Sequence, residues 1–288
     1  MTTHALRRVS DLLEMIKFSH TIFALPFALT GMVLAAGGVP SAGTVLGIVA
    51  AMVGARTAAM AWNRLADADI DAKNPRTAGR HIPAGVVGRG EAWALVAGGV
   101  VLLEAAAWFL NPLCLRLSPL ALAVIFLYPY TKRFTWLCHY LLGLALAAAP
   151  LGAWIAVTGR WSWRIVPLGL AVLLWTAGFD VLYALQDLEF DRAEGLHSVP
   201  QRWGKGRALR LAARLHLAMF ALLALQVPLF GLGGWYLLGL VVTAVLLLYE
   251  HALVTPYDLS RLDTAFFTMN GVVGVVVFLA TFLDVVTR

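Results

Sequence analysis

Residues 42–71 read AGTVLGIVAAMVGARTAAMAWNRLADADID. Up to Leu65 the run is mostly apolar and long enough to cross a bilayer, which takes about 20 residues of helix. Its end is acidic. Asn63, Asp67 and Asp71 recur every four residues. If the helix continues through them, all three point the same way, because residues four apart stack on one face. A row of carboxylates has little packing value, and charge near a bilayer is costly. The row therefore asks for a functional reason. Far downstream, Tyr183-xxx-Asp187-xxx-Asp191 repeats the spacing at the end of another apolar run. Two facing acidic rows point to a divalent metal site.

Composition supports the membrane reading. Of 288 residues, 60% are hydrophobic and 13% charged, with a mean hydropathy of +0.80. A soluble domain carries about 25% charged residues. The expected fold is all-α: a polytopic membrane protein of nine transmembrane helices around a central cavity, in a single domain over residues 1–288. The nine apolar stretches are roughly 16–38, 42–65, 91–110, 113–130, 135–157, 165–186, 208–231, 234–254 and 263–285. Turn signals separate them at Gly37-Gly38-Val39-Pro40, Asn111-Pro112, Thr158-Gly159-Arg160 and Gly231-Leu232-Gly233-Gly234. Residues 1–17 read as a short amphipathic lead-in and not as a cleaved signal peptide. Cys114 and Cys138 lack histidine partners at zinc spacing and read as packing residues.

The net charge of +6 follows from membrane topology and does not imply nucleic acid. With the N-terminus in the cytoplasm, Arg116, Arg160, Arg164 and Arg288 fall on the far side and Arg56 falls inside the second stretch. The other 17 of the 22 Lys and Arg residues then face the cytoplasm, as the positive-inside rule requires. Both acidic rows lie on that side, beside cap loops at about 66–90 and 187–207.

The acids are concentrated. Asp67, Asp69, Asp71, Asp180, Asp187, Glu189, Asp191 and Glu194 are eight of the 16. Asp69, Glu189 and Glu194 sit off the four-residue rows and read as solvated. Asp67, Asp71, Asp187 and Asp191 are the candidate metal ligands, since hard cations such as Mg2+ take carboxylate oxygens and let phosphate complete the shell. Arg76, Arg80, Lys132 and Arg133, together with Arg202 and Lys205, are the bases placed to meet a diphosphate. Asp180 lies two turns deeper than Asp187, about 10 Å, and Arg56 lies at a matching depth. The two either pair across the cavity or line an acceptor pocket. Asp67 and Asp187 are 120 residues apart, a faint internal repeat.

Taken together, the motifs resemble those of the UbiA superfamily of intramembrane aromatic prenyltransferases over nearly the whole chain. The two acidic rows carry the resemblance, with Asp71-Ala72-Lys73-Asn74-Pro75-Arg76-Thr77, Arg80-His81-Ile82-Pro83-Ala84-Gly85, Tyr128-Pro129-Tyr130-Thr131-Lys132-Arg133 and His197-Ser198-Val199-Pro200. The opening Ile16-Lys17-Phe18-Ser19-His20-Thr21-Ile22-Phe23-Ala24-Leu25-Pro26-Phe27 resembles the 4-hydroxybenzoate polyprenyltransferase branch. It is also similar to the prenyltransferases of the futalosine route of menaquinone synthesis.

The resemblance implies Mg2+-dependent transfer of a polyprenyl group from a prenyl diphosphate to an aromatic acid, in quinone biosynthesis. It implies two Mg2+ ions on Asp67, Asp71, Asp187 and Asp191, with Lys132 and Tyr128 in the catalytic set. Asn63, Arg76, Arg80, Arg133, Tyr183, Asp180, Arg56 and His20 are the expected substrate-binding residues. The setting would be a bacterial-type cytoplasmic membrane, crossed several times, with the site facing the cytoplasm and no obligate protein partner. Phe23, Phe27, Trp62, Tyr128, Tyr130 and Tyr183 are candidates to shield an allylic cation. His20 and His81 are the histidines expected near the pocket, and His4, His139, His216 and His251 are expected at the membrane interface. A dihydroxynaphthoate acceptor is the alternative within the family. An ion- or proton-coupled transporter, built on Asp180 and Arg56, is the alternative outside it.

Overall fold

The computed structural model describes residues 2–17, 24–262 and 264–288, the side chains of 2–7, 9 and 265–267 excepted. His20 and Phe23 lie outside the described residues. Every regular element described is helical. A lead-in helix α1 (Thr2–Met15) precedes α2 (Leu25–Ala36), α3 (Ala42–Lys73), α4 (Arg89–Leu110), α5 (Pro112–Thr131) and α6 (Cys138–Thr158). Next come α7 (Val166–Tyr183), the short α8 (Leu188–Ala193) and α9 (Val199–Trp203), then α10 (Lys205–Ala224) and α11 (Gln226–Phe230). The last two are α12 (Gly234–Ala252) and α13 (Asn270–Val286).

Seven segments among the described residues are long and apolar enough to cross a membrane: 42–73, 89–110, 112–131, 138–158, 163–193, 205–230 and 234–252. The chain is a multi-pass membrane protein. The first expected stretch holds α2, of 12 residues, and lies partly outside the described residues; in the ninth, a six-residue π-helix (Thr264–Met269) leads into the 17-residue α13, and neither is among the seven. The turn residues behave as their chemistry requires. Gly37, Gly159 and Gly231 end α2, α6 and α11 in the left-handed region, which glycine enters without a Cβ clash. Asn111 starts α5 by accepting from the N–H groups of Leu113 and Cys114.

Small residues let the helices approach closely. α3 and α4 cross at Gly54 and Gly99. A Cβ on Gly54 would lie 2.6 Å from the Leu103 backbone nitrogen, and one on Gly99 2.6 Å from that of Ala58. Lipid is as apolar as the side chains, so such close backbone packing does the associating that water drives elsewhere. A large core cluster around Trp175, Phe27, Phe179, Met219 and Tyr236 joins α2, α7, α10 and α12.

Polar ties run through that region. Trp175 Nε1 donates to Asn270 Oδ1 at 2.6 Å, and Asn270 Nδ2 donates to Glu250 Oε1 at 3.0 Å. His216 meets His251 at 3.0 Å and the Trp175 carbonyl at 3.2 Å. His216 is 1% exposed, so it is a core residue and not an interfacial one.

Candidate active site

Three helix ends and two loops build the site. α3 does not stop at Leu65 but runs without a break to Lys73. Asn63, Asp67 and Asp71 therefore share one face, and Asn63 Nδ2 reaches Asp67 Oδ2 at 3.3 Å. Asp67 and Asp71 are buried, whereas the Asp69 side chain is 87% exposed and pairs with Arg89 at 2.5 Å. The off-row acid is thus on the solvent face, as its spacing indicates.

The second row is built differently. α7 ends at Tyr183, residues 184–187 form a 3-10 turn, and α8 begins at Leu188. A 3-10 turn has three residues per turn where an α-helix has 3.6. Tyr183, Asp187 and Asp191 therefore do not form the straight stack of the first row. The repeat in spacing is not a repeat in backbone.

Each row carboxylate has its own polar partner. Lys132 Nζ donates to Asp67 Oδ2 at 2.7 Å, and Arg133 lies 3.4 Å from Asp67 Oδ1. Arg80 donates to both oxygens of Asp71 at 2.8 Å. Arg76 Nε donates to Asp187 Oδ1 at 2.9 Å, and its terminal nitrogen bonds Asp187 Oδ2. Arg76 also donates to the Tyr183 hydroxyl at 3.0 Å and lies over that ring. Ser198 Oγ donates to Asp191 Oδ2 at 2.8 Å. Burial works against the charge of Arg76, but its bonds to Asp187, with help from Tyr183, hold the guanidinium above its ordinary range.

These contacts join the rows. Arg76 follows the first row and pairs with the second, and Asn74 donates to Asp187 across 2.8 Å. Lys73 pairs with Glu194 at 2.7 Å. Lys132 at the end of α5 bonds Asp67, and its carbonyl takes the N–H of His197 at 2.7 Å. Two acidic rows and a ring of arginine and lysine thus share one end of the helix bundle.

Residues 24–272 match the UbiA prenyltransferase family. The chain belongs to this family. A 4-hydroxybenzoate octaprenyltransferase of Aeromonas salmonicida is 32% identical over 276 residues, 92% of this chain and 91% of that one. A UbiA homolog from Aeropyrum pernix K1, solved without ligand, superposes with a TM-score of 0.84 at 37% identity, covering 92% of this chain and 98% of that one. A UbiA homolog from Archaeoglobus fulgidus, solved with DMAPP and Mg2+, has a TM-score of 0.69 at 19% identity over 96% of this chain and 99% of that one. The molecule is a prenyltransferase with the UbiA fold.

The remaining expected residues fall in several places. Arg56 donates to the Lys17 carbonyl at 3.0 Å, and Asp180 bonds His139 at 2.7 Å. The Arg56–Asp180 pair, one of two readings of these charges, is not formed, and it is membership of a prenyltransferase family that sets the transporter reading aside. Tyr128 is half-buried near the end of α5. Phe27 is fully buried against Trp175, and Trp62 is packed among Trp93, Phe126 and Tyr130, so these two are packing residues. Arg133 lies over the Tyr130 ring, and Arg202 over Trp136. His81 ties the first loop through its carbonyl, which accepts from Val87.

Sequence reasoning missed Asn74 and His139. Asn74 is 7% exposed and sits inside a quoted motif, but its contact with Asp187 spans 113 residues. His139 is 2% exposed and internal, not interfacial. Its only signal was the nearness of the Tyr128–Arg133 motif.

The donor set suits a hard cation. Asp67, Asp71, Asp187 and Asp191 offer oxygen only. Among the described residues no group of three or more acidic, histidine or cysteine side chains converges on one point. Each row supplies two carboxylates, three of the four now held by Arg80, Arg76 and Lys132, and such a set would serve Mg2+, a cation that keeps waters and phosphate oxygens in its shell.

Proposed function

We propose that this chain transfers a polyprenyl group from a prenyl diphosphate to an aromatic acid of the 4-hydroxybenzoate kind, in quinone biosynthesis. The observation that carries the reading is the meeting of two acidic rows with Arg76, Arg80, Lys132 and Arg133 at one end of the bundle. A diphosphate is the ligand that needs both: carboxylates to hold its counter-cations and bases to hold its oxygens. The 4-hydroxybenzoate octaprenyltransferase relative and the DMAPP- and Mg2+-bound homolog support it.

Asp67 with Asp71, and Asp187 with Asp191, would each hold one Mg2+ ion. When bound, the metal neutralises the diphosphate and strengthens it as a leaving group. Arg76, Arg80 and Lys132 lie on Asp187, Asp71 and Asp67 here; once those carboxylates hold the metal, the two guanidinium forks and the lysine would turn to the phosphate oxygens and meet the charge building on the leaving group. Asn63 orients Asp67. The allylic C–O bond breaks, the diphosphate leaves, and the ring carbon ortho to the hydroxyl attacks. Loss of the ring proton restores aromaticity. Tyr128 and Tyr183 would present ring faces to the cation. Asp180 and Arg56 belong to the acceptor side of this reading.

The whole chain, 1–288, would act as one transmembrane domain in the cytoplasmic membrane. Residues 66–90 and 187–207 would then cap its cytoplasmic mouth, the side chosen by the Lys and Arg bias. Purified protein given a prenyl diphosphate, Mg2+ and either 4-hydroxybenzoate or a dihydroxynaphthoate tests the reading by product mass. Prenylated hydroxybenzoate is the expected product. Prenylation of the naphthoate alone would reassign the acceptor, and no Mg2+-dependent product with any phenolic acid would overturn the reaction.

A further inference from the structure

His139 stands in the first turn of α6 and touches two other parts of the chain. Its Nδ1 is 2.7 Å from Asp180 Oδ2 on α7. Its Nε2 receives the N–H of Val199, the first residue of α9, at 3.2 Å. A backbone N–H can only donate, so Nε2 is the bare nitrogen and Nδ1 carries the hydrogen that bonds Asp180. Both ring nitrogens are used, and together they fix the tautomer and the plane of the ring.

Val199 ends a three-residue run tied at every position. The N–H of His197 donates to the Lys132 carbonyl at 2.7 Å. The Cys138 thiol lies 3.5 Å from the His197 carbonyl. Ser198 Oγ donates to Asp191 Oδ2 at 2.8 Å. Val199 is held by His139. The run therefore joins Asp191 and Lys132, both in the diphosphate site, to a His–Asp pair that has no hydrogen bond to either row among the described residues.

We propose that His139, oriented by Asp180, is a positioning residue that fixes the 197–199 run and thereby sets Asp191 and Lys132 in register with the first acidic row. What the register serves rests on the function proposed above. The positional claim stands apart from it. Asp180 then acts through the ring at one oxygen and is 20% exposed, so it holds its place without being sealed in the core.

The test uses the full chain in detergent with His139→Leu and His139→Gln. Leucine removes both bonds. Glutamine can offer its amide oxygen to Val199 and its N–H to Asp180. The first readout needs no substrate or metal: hydrogen exchange of the amides in 196–204. Loss of one such bond predicts exchange about fivefold to tenfold faster in His139→Leu, unchanged exchange in α4, and near wild-type exchange in His139→Gln. The second readout is the Mg2+ concentration giving half-maximal turnover, expected about tenfold higher in His139→Leu and restored in His139→Gln.

Unchanged loop exchange in His139→Leu overturns the proposal whatever the activity. A looser loop with an unchanged Mg2+ requirement overturns the coupling to Asp191. Equal damage in both variants reduces His139 to a packing residue and also overturns it. If His139→Leu fails to fold, Asp180→Leu replaces it, leaving the ring in place but unoriented, with the same amides expected to loosen about twofold to threefold. If the wild type makes no product, the proposed reaction fails while the exchange readout still decides the positional claim.

Discussion

Lys132 Nζ lies 2.7 Å from Asp67 Oδ2, joining the end of α5 to the middle of an acidic row on α3 across 65 residues of sequence. Asp67 is 3% exposed. A buried carboxylate held by a lysine, with Arg133 also within 3.4 Å, is a charged group kept in place for use. Removing it leaves cations without a partner, which costs more than the pair is worth.

Asp67→Asn is therefore cleaner than Asp67→Ala. It keeps the shape and a hydrogen bond but loses the charge. Turnover with prenyl diphosphate is expected to fall at least about a hundredfold, with the thermal midpoint in detergent lowered, but by less than in Asp67→Ala, because the amide oxygen can still accept from Lys132. Asp187→Asn should do the same. Full activity in both variants would remove the two-row site.

Arg76→Lys separates fork from charge. Arg76 bonds both oxygens of Asp187 and the Tyr183 hydroxyl at once. A lysine keeps the positive charge but not the planar pair of donors. The KM for the diphosphate is expected to rise about tenfold. An unchanged KM would place Arg76 outside the substrate contact.

Asp69→Ala is the control. Asp69 shares the stretch with Asp67 and Asp71, but its exposed pair with Arg89 is worth little. Rate and thermal midpoint should both stay at wild-type values, the stability within about 0.5 kcal/mol. A large loss of activity would mean that the helix face has been misassigned.

Chelation tests the metal. Treating the protein with EDTA should abolish product formation, and excess Mg2+ should restore it while Na+ should not. Turnover that persists after exhaustive chelation would leave the acidic rows without their proposed cation.

Gly99→Val tests the frame that carries the first row. The Cβ position of Gly99 is occupied by the backbone of Gly54 and Ala58, so α3 and α4 must part. A destabilisation of about 1–3 kcal/mol is expected, read as a fall in the thermal midpoint with loss of activity following it. A midpoint unchanged by valine would show that the two helices do not cross there.

Much of this protein was legible along the chain. Apolar runs of spanning length gave the membrane helices, because a backbone in lipid must satisfy its own hydrogen bonds and the helix does so locally. Glycine and asparagine at 37, 111, 159 and 231 marked the turns for equally local reasons. The four-residue spacing of Asn63, Asp67 and Asp71 placed one face, and the same arithmetic left Asp69 outside it.

Tertiary structure decided what depends on packing between distant segments. Periodicity could not show that α7 ends in a 3-10 turn, so that the second row is not a copy of the first. Matching depth left Arg56 and Asp180 either to pair or to line an acceptor pocket, but depth carries no information about the angle around the bundle. The fold gives Arg56 to the Lys17 carbonyl and Asp180 to His139. A lone histidine in a sequence has no visible partner. Only the folded chain brings Val199 to its other nitrogen, 60 residues away, because helix packing, unlike helix formation, is not written in neighbouring residues.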